Sequence, residues 1–337
     1  MPVPAYFHPD QLTFKPKYEW AFGTQVGHPE TTARAESILR ALTADSGFEV
    51  SEPEPIKLSL LRKTHSPKLI TLYRAAERLG PEETFYPSVF PKAQVGKGDP
   101  TNVKHAGAFC FDSGTPLSAQ TWTASRWSAS CAAQAAYTVL AGAPVAYALS
   151  RPPGHHATRS YFGGYSYFNN SAIAARILQK LGRVAVLDID FHHGNGTQTI
   201  FESNPDVLSV SIHGDPLEFY PYFCGYPNER GAGAGEGYNL NITLPRGATG
   251  EDFIGALVSQ AMPAIEGFAP DALVVSAGFD TFHKDPVGDF ELQTSDYEAV
   301  GRLVASLKLP TAVIQEGGYF APALGDNVVS LLSGLAG

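Results

Sequence analysis

Cysteine is scarce in this 337-residue chain, with only Cys110, Cys131 and Cys224. Their wide spacing excludes both a disulfide framework and a CxxC metal knuckle, and such sparse usage points to a reducing compartment. Charge is also sparse, at 17% of residues, and positive charge is the rarer sign: 24 Lys and Arg stand against 33 Asp and Glu, for a net −9. The cations are scattered, so no basic stripe marks a nucleic-acid face. The acidity instead suits a small cationic partner. No apolar run approaches the ~18 residues of a membrane span. The opening MPVPAYFHPD has neither a basic region nor an apolar stretch of the kind a secretory signal carries. The expectation is a cytoplasmic protein that contacts no membrane. The GxSxG elbow, the HExxH helix and the Walker A loop are missing as well, which removes three common hydrolase templates. There is no internal repeat and no shift of composition sharp enough to mark a second domain.

What is present describes a folded α/β chain. Apolar residues make up 44%, and 33 Gly and 26 Pro punctuate the sequence without a collagen-like period. A chain of this length can bury roughly 75% of its unfolded surface. β-branched runs lie within 144–156, 182–194, 206–215, 271–280 and 310–318, each ending in polar or glycine clusters. Helix-length segments lie at 170–180, 251–268, 295–307 and 321–335, with earlier ones at 29–42, 66–79 and 124–141. This alternation predicts a single-domain α/β fold, a parallel β-sheet flanked by helices. The glycine-rich GAGAGEG at 231–237 leads into strand-like YNLNITL, whereas a dinucleotide site needs a helix there, so it is expected to be a loop. Residues 81–122, aromatic and aperiodic, stand out as an insert; an irregular stretch this long inside a domain is usually functional.

Chemistry is expected at the C-terminal ends of the strands, where open α/β sheets build their sites. In DIDFHHG, Asp188, Asp190 and His192 fall at period two, so a continuing strand would point them the same way. With Asp280 at the end of LVVSAGFD they make an Asp/His/Asp set suited to zinc with an open position for water. In RPPGHHA, His155 and His156 have the chemistry of general acid/base groups, with Asp188 and Asn195 as orienting partners. In EGGY, small residues bring Tyr319 close to whatever lies over the strand ends, where its hydroxyl can serve an oxyanion. Any one cluster alone is as well explained by caps, turns or core tyrosine. Together they share one edge of one sheet.

The motifs PPGHHA, DIDFHHGNGTQ, SAGFDTFHKDP and EGGY, in this order, resemble the arginase/deacetylase superfamily, specifically the zinc-dependent histone-deacetylase-like amidohydrolases. RPPGHHATRSYFGGYSYFNN, SIHGDPLEFYPYFCGY and the insert before Ala124 are closer to the bacterial acetylpolyamine amidohydrolases. The resemblance covers nearly the whole chain, so residues 1–337 are expected to form one deacetylase domain, with the 81–122 insert shaping the mouth of the site. It implies one zinc per chain held by Asp190, His192 and Asp280, and a pairing of His155 with Asp188. His156, paired with Asn195, would be the principal base and acid, and Tyr319 the donor to the scissile carbonyl. Tyr165 and Tyr220, with Gly164, would wall a narrow channel. An inner potassium site would use Asp188, Asp190, His192, Ser211 and Ile212; an outer one Phe201, Asn204, Val207 and Tyr238.

The activity so implied is release of acetate from a small cationic N-acetylated amine, of the polyamine type. In the place where the resemblance leads one to expect an acidic residue for a distant ammonium, this chain has the apolar Val103, followed by Lys104 and His105; Glu83 or Asp112 are the substitutes within the insert. A protein acetyl-lysine deacetylase is the alternative, and a non-catalytic binder of acetylated amines a third. A guanidine hydrolase would normally need two manganese ions and more carboxylates. Phe85, Tyr86, Phe90, Phe109 and Phe111 of the insert would form an apolar patch unless covered, from which a homodimer is expected.

Overall fold

The computed structural model describes residues 2–89 and 97–337. Twelve strands are formed in them: β1 (Val3–Tyr6), β2 (Tyr18–Ala21), β3 (Thr24–Gly27), β4 (Phe48–Ser51), β5 (Thr84–Phe85), β6 (Leu117–Ser118), β7 (Val145–Ala148), β8 (Val184–Asp188), β9 (Val207–Gly214), β10 (Asn239–Leu244), β11 (Ala272–Ala277) and β12 (Thr311–Gln315). Eight of them build one sheet in the order β10-β9-β8-β11-β12-β7-β1-β4, and every pairing in it is parallel.

The central strands β7, β8, β9, β11 and β12 are buried on both faces, so period two sorts their side chains between two cores. Val184, Val186, Val274 and Ile314 join a core with α3 (Pro67–Ala76), α4 (Thr121–Leu140) and α5 (Asn170–Leu178). Ala185, Leu187, Val275 and Val313 point the other way, toward α1 (Thr32–Ala44), α9 (Thr294–Ser306) and α10 (Ala321–Ala336). Each fully buried Val, Leu or Ile contributes roughly 1.5–3 kcal/mol of apolar transfer. Helix α4 owes its close fit to small residues: Ala124, Ala129, Ala132, Ala135 and Ala136 are fully buried. The 251–268 segment is helical but not uniform. α7 (Gly250–Ala256) and α8 (Met262–Phe268) flank a π-turn at Leu257–Ala261, where Pro263 in the first turn of α8 lacks the N–H a tight turn would use.

Short elements escaped the sequence pattern. Strand β1 and the edge strand β4 have four residues each, α2 (Leu58–Thr64) and α6 (Asn195–Phe201) seven, too few to show a period. The antiparallel β2–β3 hairpin stands apart from the main sheet. In the insert, β5 pairs with β6 and closes its base, and the 161–168 loop is stitched on through Phe162, whose N–H donates to the Phe109 carbonyl and whose carbonyl accepts the Phe111 N–H. Phe109 is therefore core rather than exposed, while Phe85, Tyr86 and Phe111 are half-buried. Phe90 lies outside the described residues.

Candidate active site

Strand β8 stops at Asp188 instead of continuing through His192, because its carboxylates capture the backbone that follows. Asp188 Oδ1 accepts the Asp190 N–H at 3.1 Å, and Asp190 Oδ1 accepts the His192 N–H at 2.9 Å, two successive turns of the Asx kind. The expected convergence survives by a different geometry. His192 Nδ1 lies 3.2 Å from Asp190 Oδ1 and 2.9 Å from Asp280 Oδ2, and the ligand atoms of Asp190, His192 and Asp280 all fall within 4.8 Å of one another. Ligands of a tetrahedral zinc with bonds near 2.0–2.1 Å sit roughly 3.3 Å apart, so the spacing fits one such ion. The electrostatics fit too. Burial and the neighbouring Asp190 push Asp280 up to about 7, so two crowded buried carboxylates favour a cation between them. Gly317 makes the crowding possible, since a Cβ there would stand 2.4 Å from Asp280 Oδ2.

Beside this floor, Glu316 accepts the N–H groups of Gly154 and His155 at 2.6 and 3.0 Å and fixes the histidine turn. His155 Nδ1 meets Asp188 Oδ2 at 3.0 Å; His156 Nδ1 meets Asn195 Oδ1 at 2.7 Å. The two rings are 4.0 Å apart, yet their environments separate them. Burial disfavours charge on His155, but Asp190 and Asp188 outweigh it and raise the imidazole to about 10. Burial, with His155 and His192 nearby, holds His156 well below its ordinary value and therefore neutral. Asn195 offers an acceptor, so His156 Nδ1 carries the proton and Nε2 is free toward the cavity.

Tyr319 is held from three sides. Asp285 accepts its N–H at 2.5 Å and that of Phe320 at 2.9 Å; Arg34 donates to the Gly318 and Glu316 carbonyls and lies 4.7 Å above the ring. Burial lifts the phenol well above its usual range, so it stays a donor. Tyr165 stands edge-on to Tyr319 at 5.8 Å, and Tyr220 edge-on to His156 at 5.1 Å. Between them Gly164 presses its backbone on the His156 ring: at φ +58° a Cβ would be 2.2 Å from Cδ2. These walls enclose a cavity of about 630 Å³ that has His156, His192 and Tyr319 at its base and Trp20, Phe22, Val89 and Phe223 near its mouth.

The structure thus brings together every residue expected at the zinc, histidine, tyrosine and channel positions. Asp188 sits in register with Ser211 on β9, with Ile212 next to it. The Phe201 and Asn204 carbonyls accept the N–H groups of Asn204 and Val207 in the turns that lead into β9, and the Tyr238 carbonyl accepts the Ser209 N–H, so Ser211, Ile212 and the four residues expected at the outer potassium site lie on or beside β9. Of the two acids in the insert, Asp112 lines the cavity and Glu83 does not; Glu83 instead accepts the Gly80 N–H. Val103 packs against the core. The acid that sequence reading missed is Glu19, on the β2–β3 hairpin. Its Oε2 accepts the Tyr165 hydroxyl at 2.7 Å, Oε1 has no hydrogen-bond partner among the described residues, and burial raises its carboxyl. No local pattern marks it; only the hairpin's path over the mouth does.

The histone deacetylase domain pattern matches residues 28–335. Acetylpolyamine amidohydrolase 2 of Pseudomonas aeruginosa is 41% identical over 319 residues, 91% of each chain. The acetylpolyamine amidohydrolase of Burkholderia pseudomallei is 40% identical over 98% of this chain and 97% of its own. A crystal structure of the acetylpolyamine aminohydrolase from Burkholderia pseudomallei superposes with a TM-score of 0.93 at 38% identity, over 99% of this chain and 98% of that one. Sheet topology, site geometry and near full-length similarity lead to one conclusion: the chain belongs to the histone deacetylase domain family and is an amidohydrolase of the deacetylase type.

Proposed function

We propose that the enzyme hydrolyses acetylpolyamines such as N-acetylputrescine and N-acetylcadaverine, giving acetate and a free amine, and so serves polyamine metabolism. The observation that carries this reading is Glu19: an acid beside the aromatic rim of the cavity, with one carboxylate oxygen unengaged, stands where the far ammonium of a short alkylamine would lie. Bound at Asp190, His192 and Asp280, one zinc would supply Lewis-acid activation of water and of the amide carbonyl. His156, neutral with Nε2 toward the cavity, takes a proton from the attacking water and returns it to the leaving amine. Asn195 fixes its tautomer, and His155 with Asp188 stands beside it. The Tyr319 hydroxyl donates to the oxygen on which charge develops. Tyr165, Tyr220 and Gly164 hold the alkyl stem.

Potassium at the inner and outer positions around β9 would brace the strand ends. The insert and the exposed rim point to a homodimer, because Phe22 and Phe223, 94% and 77% exposed, border the cavity and a second copy would cover them. Three free cysteines support a cytoplasmic location, and no helix among the described residues is long and apolar enough to cross a membrane. The same exposed rim favours a second reading, an acetyl-lysine protein deacetylase, should a single chain act alone. Acetate release from N-acetylputrescine, N-acetylcadaverine and an acetyl-lysine peptide, with and without chelator, tests both. Chelator-sensitive turnover highest on the acetylated diamines is expected; preference for the peptide would replace the polyamine reading. Light scattering tests the dimer: the mass of one chain would remove it.

A further inference from the structure

The insert reaches the channel walls beside His156 through the side chain of Asp112. Its Oδ1 accepts the N–H groups of Gly114 and Thr115 at 3.1 and 3.0 Å, with the Cys110 thiol 3.8 Å away. Its Oδ2 accepts the Gly164 N–H at 2.5 Å, the Tyr220 hydroxyl at 2.7 Å and the Thr115 hydroxyl at 3.2 Å. Thr115 Oγ1 in turn accepts the Tyr165 N–H at 3.0 Å. Two oxygens thus take five N–H and O–H donors, which leaves no lone pair for an ammonium. Asp112 differs in this from Glu19, although both border the cavity.

What the carboxylate holds is the channel itself. Gly164 lies against the His156 ring, and Tyr220 packs edge-on to His156 and, at 6.1 Å, to His192. We infer that Asp112 is a positioning residue, a clamp by which the insert sets the spacing of the two channel walls about His156 and the substrate stem. The inference rests on the proposed role of His156 and adds a residue that touches neither substrate nor metal. Misplacement near 1 Å at a reacting group costs up to about 10²-fold in rate.

The test is a kinetic cycle on N-acetylputrescine using Asp112→Asn, Tyr220→Phe and the double variant, with bound metal measured in each. Asn keeps the shape of Asp112 but turns one acceptor into a donor that faces other donors. Each single change is expected to lower kcat/KM by about 10- to 100-fold, with KM raised at least several-fold because the walls no longer grip the stem. The double variant should be no worse than the poorer single one. An enzyme merely destabilised would lose kcat through fewer active molecules and keep its KM. Wild-type KM in Asp112→Asn, or losses that multiply in the double variant, would overturn the inference. Should Asp112→Asn fail to fold, Tyr220→Phe and Thr115→Val each delete one hydroxyl on the same carboxylate, and wild-type KM in both would overturn it equally. A wild-type enzyme that turns over no acetylated amine would instead refute the proposed function.

Discussion

The floor and the mouth of the cavity are built by different means. At the floor, the polar groups are buried and hold one another: Asp190 accepts N–H groups from His192 and Gly317, and Glu316 accepts from Gly154, His155, Ser171 and Ser276. At the mouth, Trp20, Phe22 and Phe223 sit on a hairpin and a loop, largely exposed, and Phe22 and Phe223 adopt left-handed backbone at φ 48° and 59°. The sheet fixes the floor; loops of few contacts shape the mouth. Chemistry should thus be intolerant of change, and selectivity adjustable on top of it.

Removing a floor ligand should have the largest effect. Asp190→Ala, His192→Ala or Asp280→Ala leaves two protein ligands, which seldom retain zinc in an open site. Metal analysis is expected to find most of the ion gone and activity lost with it; near-stoichiometric zinc in all three variants would refute the assignment. Next in size, Tyr319→Phe should retain metal and fold and lose roughly 10²–10³ in kcat, the scale of one oxyanion donor. His156→Ala should cost more than His155→Ala, and steady-state rates of the two variants decide it. Equal losses would end the division of labour that their opposite protonation tendencies support.

Changes at the mouth should be smaller and selective. Glu19→Gln removes the negative charge of a carboxylate that has one oxygen unengaged, and should cut kcat/KM for N-acetylputrescine by about tenfold, the scale of a charge-assisted hydrogen bond. It should leave an uncharged acetamide untouched.

The smallest effect concerns the seam between the two regions. Buried His65 donates from Nδ1 to the Thr158 carbonyl and accepts the Asn169 N–H at Nε2, bracing the loop that carries Gly164 and Tyr165. Burial lowers its imidazole to about 3. The unfolded chain therefore binds the proton first as pH falls below about 6.5, and stability drops by up to about 1.4 kcal/mol per unit from there toward the folded value. Between pH 7 and 5, Tm of the wild type should fall more than Tm of His65→Gln; parallel slopes would show that His65 does not titrate with unfolding.

This contrast also explains what could be read from the residues. The five central strands β7, β8, β9, β11 and β12, their helices and the floor were legible because strands buried on both faces are continuous apolar runs, and their ends display Asp188, Asp190, His155, Asp280 and Tyr319 beside them. The predicted continuation of β8 failed after Asp188, where side chains bond the backbone that follows locally instead of leaving it to a neighbouring strand. Glu19 and the hairpin were hidden for a different reason: β2 and β3 have four residues each, and their importance comes from lying over a site formed by residues over a hundred positions away. Phe109 looked exposed because aromatic content alone does not tell a surface patch from a stem stitched into the core.

The claim that the floor does the chemistry and the mouth selects is tested most directly by one ratio, kcat/KM for N-acetylputrescine over that for its uncharged isostere N-pentylacetamide. In Tyr319→Phe both constants should fall together and the ratio should keep its wild-type value. In Glu19→Gln the ratio should fall about tenfold through loss on the cationic substrate alone. A wild-type ratio in Glu19→Gln, or a ratio that shifts in Tyr319→Phe, would contradict the account.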